Sequence, residues 1–499
     1  MLLALVFSLS YSQLPLYSLN QNSYFLQGLA KGGLGFLSKD WLANTVDPVP
    51  IFSLLVGITF SYLHEYLFYL YSLALLGVYI CSMLGIISHT YKVDSSGIQY
   101  LACFVVITGL HSPVLGSVTS KLTGLDITQL LHNGVAGQYL LGPVFQPNMF
   151  GVLLLLSVYL FLRGKRVLAI FCSSLSASIH PTYLLNVAVL TLTYMIILLR
   201  ERKDLKPTLS IGGLALVLII PISTYVYLSF KASSPELLSQ AQGILVDERI
   251  PHHAKASHWF GPQSAFQILL IMLALFLIRK KRLFSLLSIP FLLAGALTFV
   301  QVMTKSKGFA LQFPWRSSVF LVPISSCIIV ATILSFCFKK FNRQISIHKR
   351  ALMLSLVMAM LMLALSGLIG TSRRFAQAAD AEDVPVMNFV KAIKQPDDIF
   401  LIPIEMERFR LYTGVPIFVD EKSHPYRDSE ILEWNKRIQM AKELYQRQGE
   451  LACSILRDLA PHYGITHVIL ENGLDEPGCA MLREIYRDEE FAVHKVRNY

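Results

Sequence analysis

The sequence predicts a polytopic α-helical membrane protein of about eleven transmembrane helices, ending in a small extracytoplasmic α/β domain. Three observations carry this. The 499 residues are 54% hydrophobic and only 15% charged, against about 25% charged in soluble globular proteins. Apolar runs near the length needed to cross about 30 Å of hydrocarbon recur along the first three quarters of the chain. From about Arg373 the charges become dense, and short apolar strands alternate with amphipathic helices.

Apolarity places spans near 1–17, 64–88, 97–113, 145–162, 167–181, 182–200, 208–230, 265–279, 283–303, 317–338 and 351–370. The first has no basic flank, which also fits a signal-peptide core or a truncated start. The apolar stretch 50–63 runs into His64 and Glu65 and reads as a helix lying at the interface. Basic clusters set the orientation. RGKR (163–166), RERKDLK (200–206), RKKR (279–282) and KKFNRQISIHKR (339–350) all fall on one side of the predicted spans. That side is the cytoplasm, so the N-terminus is cytoplasmic and the C-terminal domain lies outside. The same clusters account for the formal charge of +11 without a nucleic-acid partner.

The expected domains are therefore a transmembrane domain, 1–372, with external loops 15–50, 114–144, 231–264 and 304–316, and an extracytoplasmic domain, 373–499. In the latter, 398–403, 416–420, 466–471 and 491–496 read as strands. The segments 384–394, 428–447, 451–463 and 477–485 read as helices. This alternation predicts an α/β sandwich with a mainly parallel sheet. No Gly-rich phosphate loop opens any of these helices. Five cysteines lie in apolar segments; Cys453 and Cys479 share the hydrophilic region and are able to pair as a disulfide in an oxidising compartment.

Polar groups that are not cytoplasmic anchors gather on the external side, where their cost makes them functional candidates. In the first loop Asp40 precedes Trp41 and Asp47 precedes Pro48. A carboxylate there suits a general base or a ligand for a divalent cation, or simply a helix cap beside an interfacial Trp. In the third loop, DERIPHHAKASHWF holds Asp247, Glu248, His252, His253 and His258. With Asp40, the carboxylates Asp247 and Glu248 form a candidate oxygen-rich site for Mg²⁺ or Mn²⁺. His252 and His253, read as strand residues, point to opposite faces. The fourth loop, KSKGFALQFPWR, sets Lys305, Lys307 and Arg316 at the membrane edge. Cations there suit a lipid phosphate or snorkel to headgroups. Asp126, His132, Asn133, Gln138 and His180 reach the same depth. Asp420, Lys422, His424, Tyr426 and Arg427 follow a strand of the C-terminal domain, a usual place for ligands or for docking.

The layout resembles the GT-C superfamily of membrane glycosyltransferases: many membrane helices, a long first external loop with an acidic residue, and an external C-terminal domain. The segments NQNSYFLQGLA, DWLANTVDPVPIFS, RIPHHAKASHW, FPWRSSVFLVP and YTGVPIFVDEKSHPYRD also look like an uncharacterised family of bacterial membrane proteins, which brings no established activity. The GT-C resemblance implies transfer of a sugar from a polyprenyl-phosphate-linked donor to a glycan or protein acceptor at the outer face of a bacterial inner membrane. It puts the catalytic carboxylate at Asp40. Many of those enzymes carry two acidic residues spaced by one, and here Ser38 stands at the second position. On this reading His252 and His253 orient acceptor or carrier, and Lys305 and Arg316 hold the carrier phosphate. The alternatives are a non-catalytic GT-C-like protein that binds glycan or organises assembly, and a transporter. A transporter needs polar groups at mid-membrane; few are present, and the best candidates, Asn186, Ser173, Ser174 and Ser176, are uncharged.

Overall fold

The computed structural model describes residues 1–447, 449–472 and 479–497. Six of its helices are long and apolar enough to cross a membrane: Leu67–Tyr91, Pro181–Glu201, Leu205–Ser229, Arg282–Thr304, Lys307–Lys340 and Lys349–Ala379. A seventh span arises if Gly97–Leu110 and Pro113–Thr123, bent by 56°, count as one. Among shorter apolar helices, Pro147–Leu162, Arg166–Ile179 and Pro262–Leu277 coincide with expected spans, and Pro50–Tyr62 with the expected interfacial helix. The expected span at 1–17 is a helix only over Leu2–Ser10, about 14 Å at 1.5 Å per residue. The molecule is an integral membrane protein, and its outermost helices show it. Lys349–Ala379 exposes Leu354, Leu361, Met362 and Leu365, a row of large apolar side chains on a membrane-length helix that suits contact with lipid.

The chain divides into two compact units. One comprises 1–13, 69–225 and 245–372; the other comprises 14–68, 226–244 and 373–499. The second unit thus joins the C-terminal region to the first loop and to 226–244, segments that sequence reasoning assigned to the membrane domain.

In the second unit, four strands, β1 (Phe400–Leu401), β2 (His467–Glu471), β3 (Leu482–Arg487) and β4 (Phe491–Val496), form one sheet in the order β1-β2-β4-β3. Side chains alternate between its faces, as the pleat demands. Leu401, Val468, Leu470 and Val496 pack with Trp434, Ile438 and Leu456 of helices Asp428–Gln446 and Gly449–Tyr463. Phe400, Ile469 and Val493 face the other way, onto Val386 and Val390 of Val384–Ile393 and onto Phe409. Fully burying such a side chain stabilises by about 1.5–3 kcal/mol. A disulfide joins Cys453 to Cys479, with Cα atoms 5.4 Å apart.

The sheet departs from expectation in three ways. It is mixed, not mainly parallel: only β1 and β2 run parallel, and β4 is antiparallel to both β2 and β3. Residues 488–490 alone separate β3 from β4, and so short a link permits only an antiparallel hairpin. The expected helix 477–485 is strand from Leu482 onward, while 477–478 lie outside the described residues. Helix propensity there is a weak local preference, overridden by the unpaired backbone groups along β4. The segment 416–420 contributes one bridge, Phe400 to Ile417, because Pro416 has no N–H to extend the ladder.

Gly35 fixes the first loop to the C-terminal segment within this unit. Its φ is +53°, and a Cβ there would stand 2.2 Å from the carbonyl oxygen of Gly414. That same oxygen accepts the Phe36 N–H at 2.8 Å. Gly35→Ala is expected to lose roughly 1–2 kcal/mol from the left-handed backbone alone, and more from the clash. A fall in the urea midpoint of the full chain in detergent measures it, and an unchanged midpoint refutes it.

Candidate functional site

Asp40 belongs to the second unit and is fully buried. Its Oδ1 accepts the N–H groups of Leu42 and Ala43 at 2.9 and 3.1 Å, heading the turn Leu42–Asn44. Its Oδ2 accepts the Ile417 N–H at 3.1 Å and lies 3.0 Å from Nε of Arg410. The same guanidinium reaches Asp420 at 2.7 Å. All three side chains are almost wholly withdrawn from solvent. Two carboxylates therefore share one cation, and burial pushes the Asp420 carboxyl above its usual range against the pull of Arg410. Asp47 is also buried, near Lys31 at 3.6 Å. Trp41 lies under Arg437, 4.1 Å from the guanidinium to the ring centre. Asp40 thus has the cap geometry that its position before a turn suggested, with an ion pair added. Arg410 carried no signal in the sequence, because nothing local joins it to the first loop.

The first unit holds the other candidates. Phe313 takes a left-handed φ of 49°, and Pro314 then opens the turn Pro314–Ser317. Trp315 goes into a cluster with Val135, Ala136 and Ala294, and Arg316 is left half-buried. Its guanidinium donates to Gln138 Oε1, to His180 Nε2 at 3.1 Å and to Thr182 Oγ1 at 3.3 Å, and it lies 5.2 Å from the Tyr183 ring centre. Arginine has only donors, so His180 accepts through Nε2 and is neutral. Among the described residues no carboxylate pairs with Arg316, and its buried Nε has no protein acceptor.

The loop that presents Gln138 is tied down on several sides. The Val135 N–H donates to Ser318 Oγ at 2.7 Å, Gln267 donates to the Asn133 carbonyl at 3.0 Å, and the Ala136 carbonyl faces His253 Nδ1 at 2.7 Å. Burial lowers the His253 pKa to about 4, so this imidazole is neutral and donates to Ala136. His253, Gln138, Trp259, Gln301 and Arg316 line a tight cleft with a free volume of about 10 Å³. His252, beside His253 at 4.1 Å between ring centres, is exposed. The pair lies in the helical turn Pro251–Ala254, not in a strand, so the opposed-face argument does not apply.

Lys305 ends helix Arg282–Thr304 in a left-handed conformation. It lines a larger cleft, about 330 Å³, with Lys255, Lys307, Asp247 and Gln301. Asp247 spends one oxygen on Lys255 at 2.7 Å and the other on Lys307 at 2.8 Å, and these two bonds hold its carboxyl below the usual range. Glu248 is exposed and takes part in no ion pair among the described residues. Asp40, Asp247 and Glu248 do not fit the expected Mg²⁺ or Mn²⁺ site: among the described residues no three His, Cys, Asp or Glu side chains gather to hold a metal ion. The oxygens a metal would need are committed, in Asp40 to Arg410 and in Asp247 to two lysines. Sequence reasoning named Gln138 and His180 without joining them to Arg316, and it missed Thr182, Lys255 and Gln301. The only available hint was the polar HPT at 180–182 between two apolar runs.

A family described as a domain of unknown function, DUF6798, matches residues 381–441, the stretch that holds Arg410 and Asp420. No curated protein matches the chain. Among solved structures the chain is similar to ArnT from Cupriavidus metallidurans bound to undecaprenyl phosphate. The two share 12% identity with a TM-score of 0.46, over 99% of this chain and 96% of that one.

Proposed function

We propose that this chain is a membrane glycosyltransferase of the GT-C type, which moves a sugar from a polyprenyl-phosphate-linked donor to a hydroxyl acceptor at the extracytoplasmic face. The observation that carries the reading is Arg316. A guanidinium kept half-buried among neutral acceptors, beside a cleft and without a carboxylate partner among the described residues, is prepared for an anion from outside the chain. In the reaction the bond between the sugar's anomeric carbon and the carrier phosphate oxygen breaks. The acceptor oxygen bonds to that carbon and gives up its proton to a base, the role the GT-C resemblance gives Asp40, and the electron pair leaves with the phosphate, which becomes a monoester. Arg316 would meet the charge that grows on the leaving oxygen, and Gln138, His180 and Thr182 would keep the guanidinium aimed. His252 and His253 would border acceptor or carrier. No step is routed through a metal.

The reading includes eleven crossings, with the three shorter apolar helices and the first segment completing the count and the basic clusters on the cytoplasmic side. The Cys453–Cys479 disulfide supports an external C-terminal region, since such bonds persist in oxidising compartments.

One observation favours a second reading, a non-catalytic glycan-binding or assembly protein. Asp40, the residue that the GT-C resemblance makes the base, is fully buried and ion-paired. Turnover of lipid-linked sugars by membranes holding the full chain tests both. With Asp40 as base, Asp40→Asn abolishes turnover while the melting temperature stays within a few degrees. If Asp40 is structural, turnover survives in proportion to folded protein. Absence of turnover by the unaltered chain across polyprenyl-phosphate sugars would reject the enzyme reading.

A further inference from the structure

The lysine cleft differs in charge from the Arg316 cleft, although Gln301 lines both. Lys255, Lys305 and Lys307 set three ammonium groups against the single carboxylate of Asp247, leaving two net positive charges at one mouth. Lys305 has no ion-pair partner among the described residues. The Asp247 carboxylate bridges Lys255 and Lys307 with one oxygen each, as two oxygens of a phosphate would. Gln301, buried, is held by its bond to the Ala254 carbonyl at 2.8 Å, which fixes the partition between the clefts. The cleft stands at the end of the apolar helix Arg282–Thr304, so a headgroup at the membrane edge and a soluble anion both reach it.

We propose that this lysine cleft is a second anion site, selective for phosphate monoesters, in which Asp247 is a built-in competitor for the bound phosphate. The selectivity follows from charge. A phosphate diester carries one negative charge, and a monoester approaches two near neutral pH. Two uncompensated ammonium charges therefore favour the monoester, whereas the single guanidinium of Arg316 matches the diester. Resting on the function proposed above, this makes the lysine cleft the place to which the carrier phosphate moves once its sugar has left. The added charge created by the reaction drives that step from one cleft to the next.

Titration of the purified full chain in neutral detergent with dodecyl phosphate, dodecyl methyl phosphate and inorganic phosphate tests the site without any turnover. Dodecyl phosphate is expected to bind at least tenfold more tightly than the methyl diester. Lys305→Gln should erase that preference. Asp247→Asn should tighten dodecyl phosphate severalfold by removing the competing carboxylate, whereas a merely structural role for Asp247 would loosen the loop and weaken binding. Binding of inorganic phosphate as well identifies a soluble-anion site, and binding of dodecyl phosphate alone identifies a lipid headgroup site. Equal binding of monoester and diester, indifference to Lys305→Gln with an unchanged melting temperature, or weaker binding in Asp247→Asn overturns the proposal. A chain that turns over lipid-linked sugar yet fails this titration loses the second site alone. A chain that passes the titration without turnover keeps the monoester site and loses the reaction that would fill it.

Discussion

Arg410→Ala is expected to destabilise the second unit by about 3–5 kcal/mol, the usual cost of breaking a buried ion pair from one side. The size follows from what is left behind. Asp40 and Asp420 are both buried, and both depend on the same guanidinium at 3.0 and 2.7 Å. Without it, two carboxylates face each other in a poorly solvated interior, and at least one must take up a proton for the unit to remain folded. The loss should therefore shrink as pH falls toward the range where carboxylates protonate. Asp420→Asn in the Arg410→Ala background should recover part of it, because one of the two orphaned charges is gone. Urea denaturation of the full chain in detergent, read by proteolysis of the C-terminal segment at two pH values, checks both statements. A midpoint unchanged by Arg410→Ala, or a loss that does not respond to Asp420→Asn, would mean that the triad contributes no more than a surface pair.

Arg316→Ala should lower sugar transfer by roughly 10²–10³, the range seen when one preorganised donor to a developing anion is removed. Arg316→Lys should restore little of it. An ammonium carries the charge but cannot donate in three fixed directions to Gln138, His180 and Thr182, so it would not be held toward the leaving phosphate. Because Gln138 is buried, the alanine variant also removes the donor to its amide oxygen, at about 1–3 kcal/mol for a group left unsatisfied. The kinetic loss is therefore separated from folding by comparing single-turnover rates at matched folded protein. Transfer that survives in Arg316→Ala within a factor of a few would move the leaving-group role away from this cleft.

Much of the architecture is legible without coordinates, because it rests on local properties. Apolar length places the helices Leu67–Tyr91, Leu205–Ser229 and Arg282–Thr304 within a few residues, and the start of Lys349–Ala379, which runs nine residues past the expected end. The composition shift near Arg373 falls at a boundary of the second unit. Period-two and period-3.6 patterns find β2, β4 and the helices Val384–Ile393, Asp428–Gln446 and Gly449–Tyr463. Local pattern fails where a neighbour in space decides. LREIYR is strand because β4 offers it an edge, and the sheet is mixed because a three-residue link turns the chain back.

The sequence by itself determined a chain built largely of membrane-length apolar helices with a charged α/β region at its end, since burial in lipid and alternation across a sheet are written into successive residues. It also marked many of the polar groups of interest, though not Arg410, Thr182, Lys255 or Gln301. Only the tertiary structure decided which of them belong together: Asp40 with Arg410 and Asp420, Arg316 with Gln138, His180 and Thr182, and Asp247 with Lys255 and Lys307. Electrostatic partners are chosen by proximity after folding, and a charge's spacing along the chain carries no record of the charge it will meet.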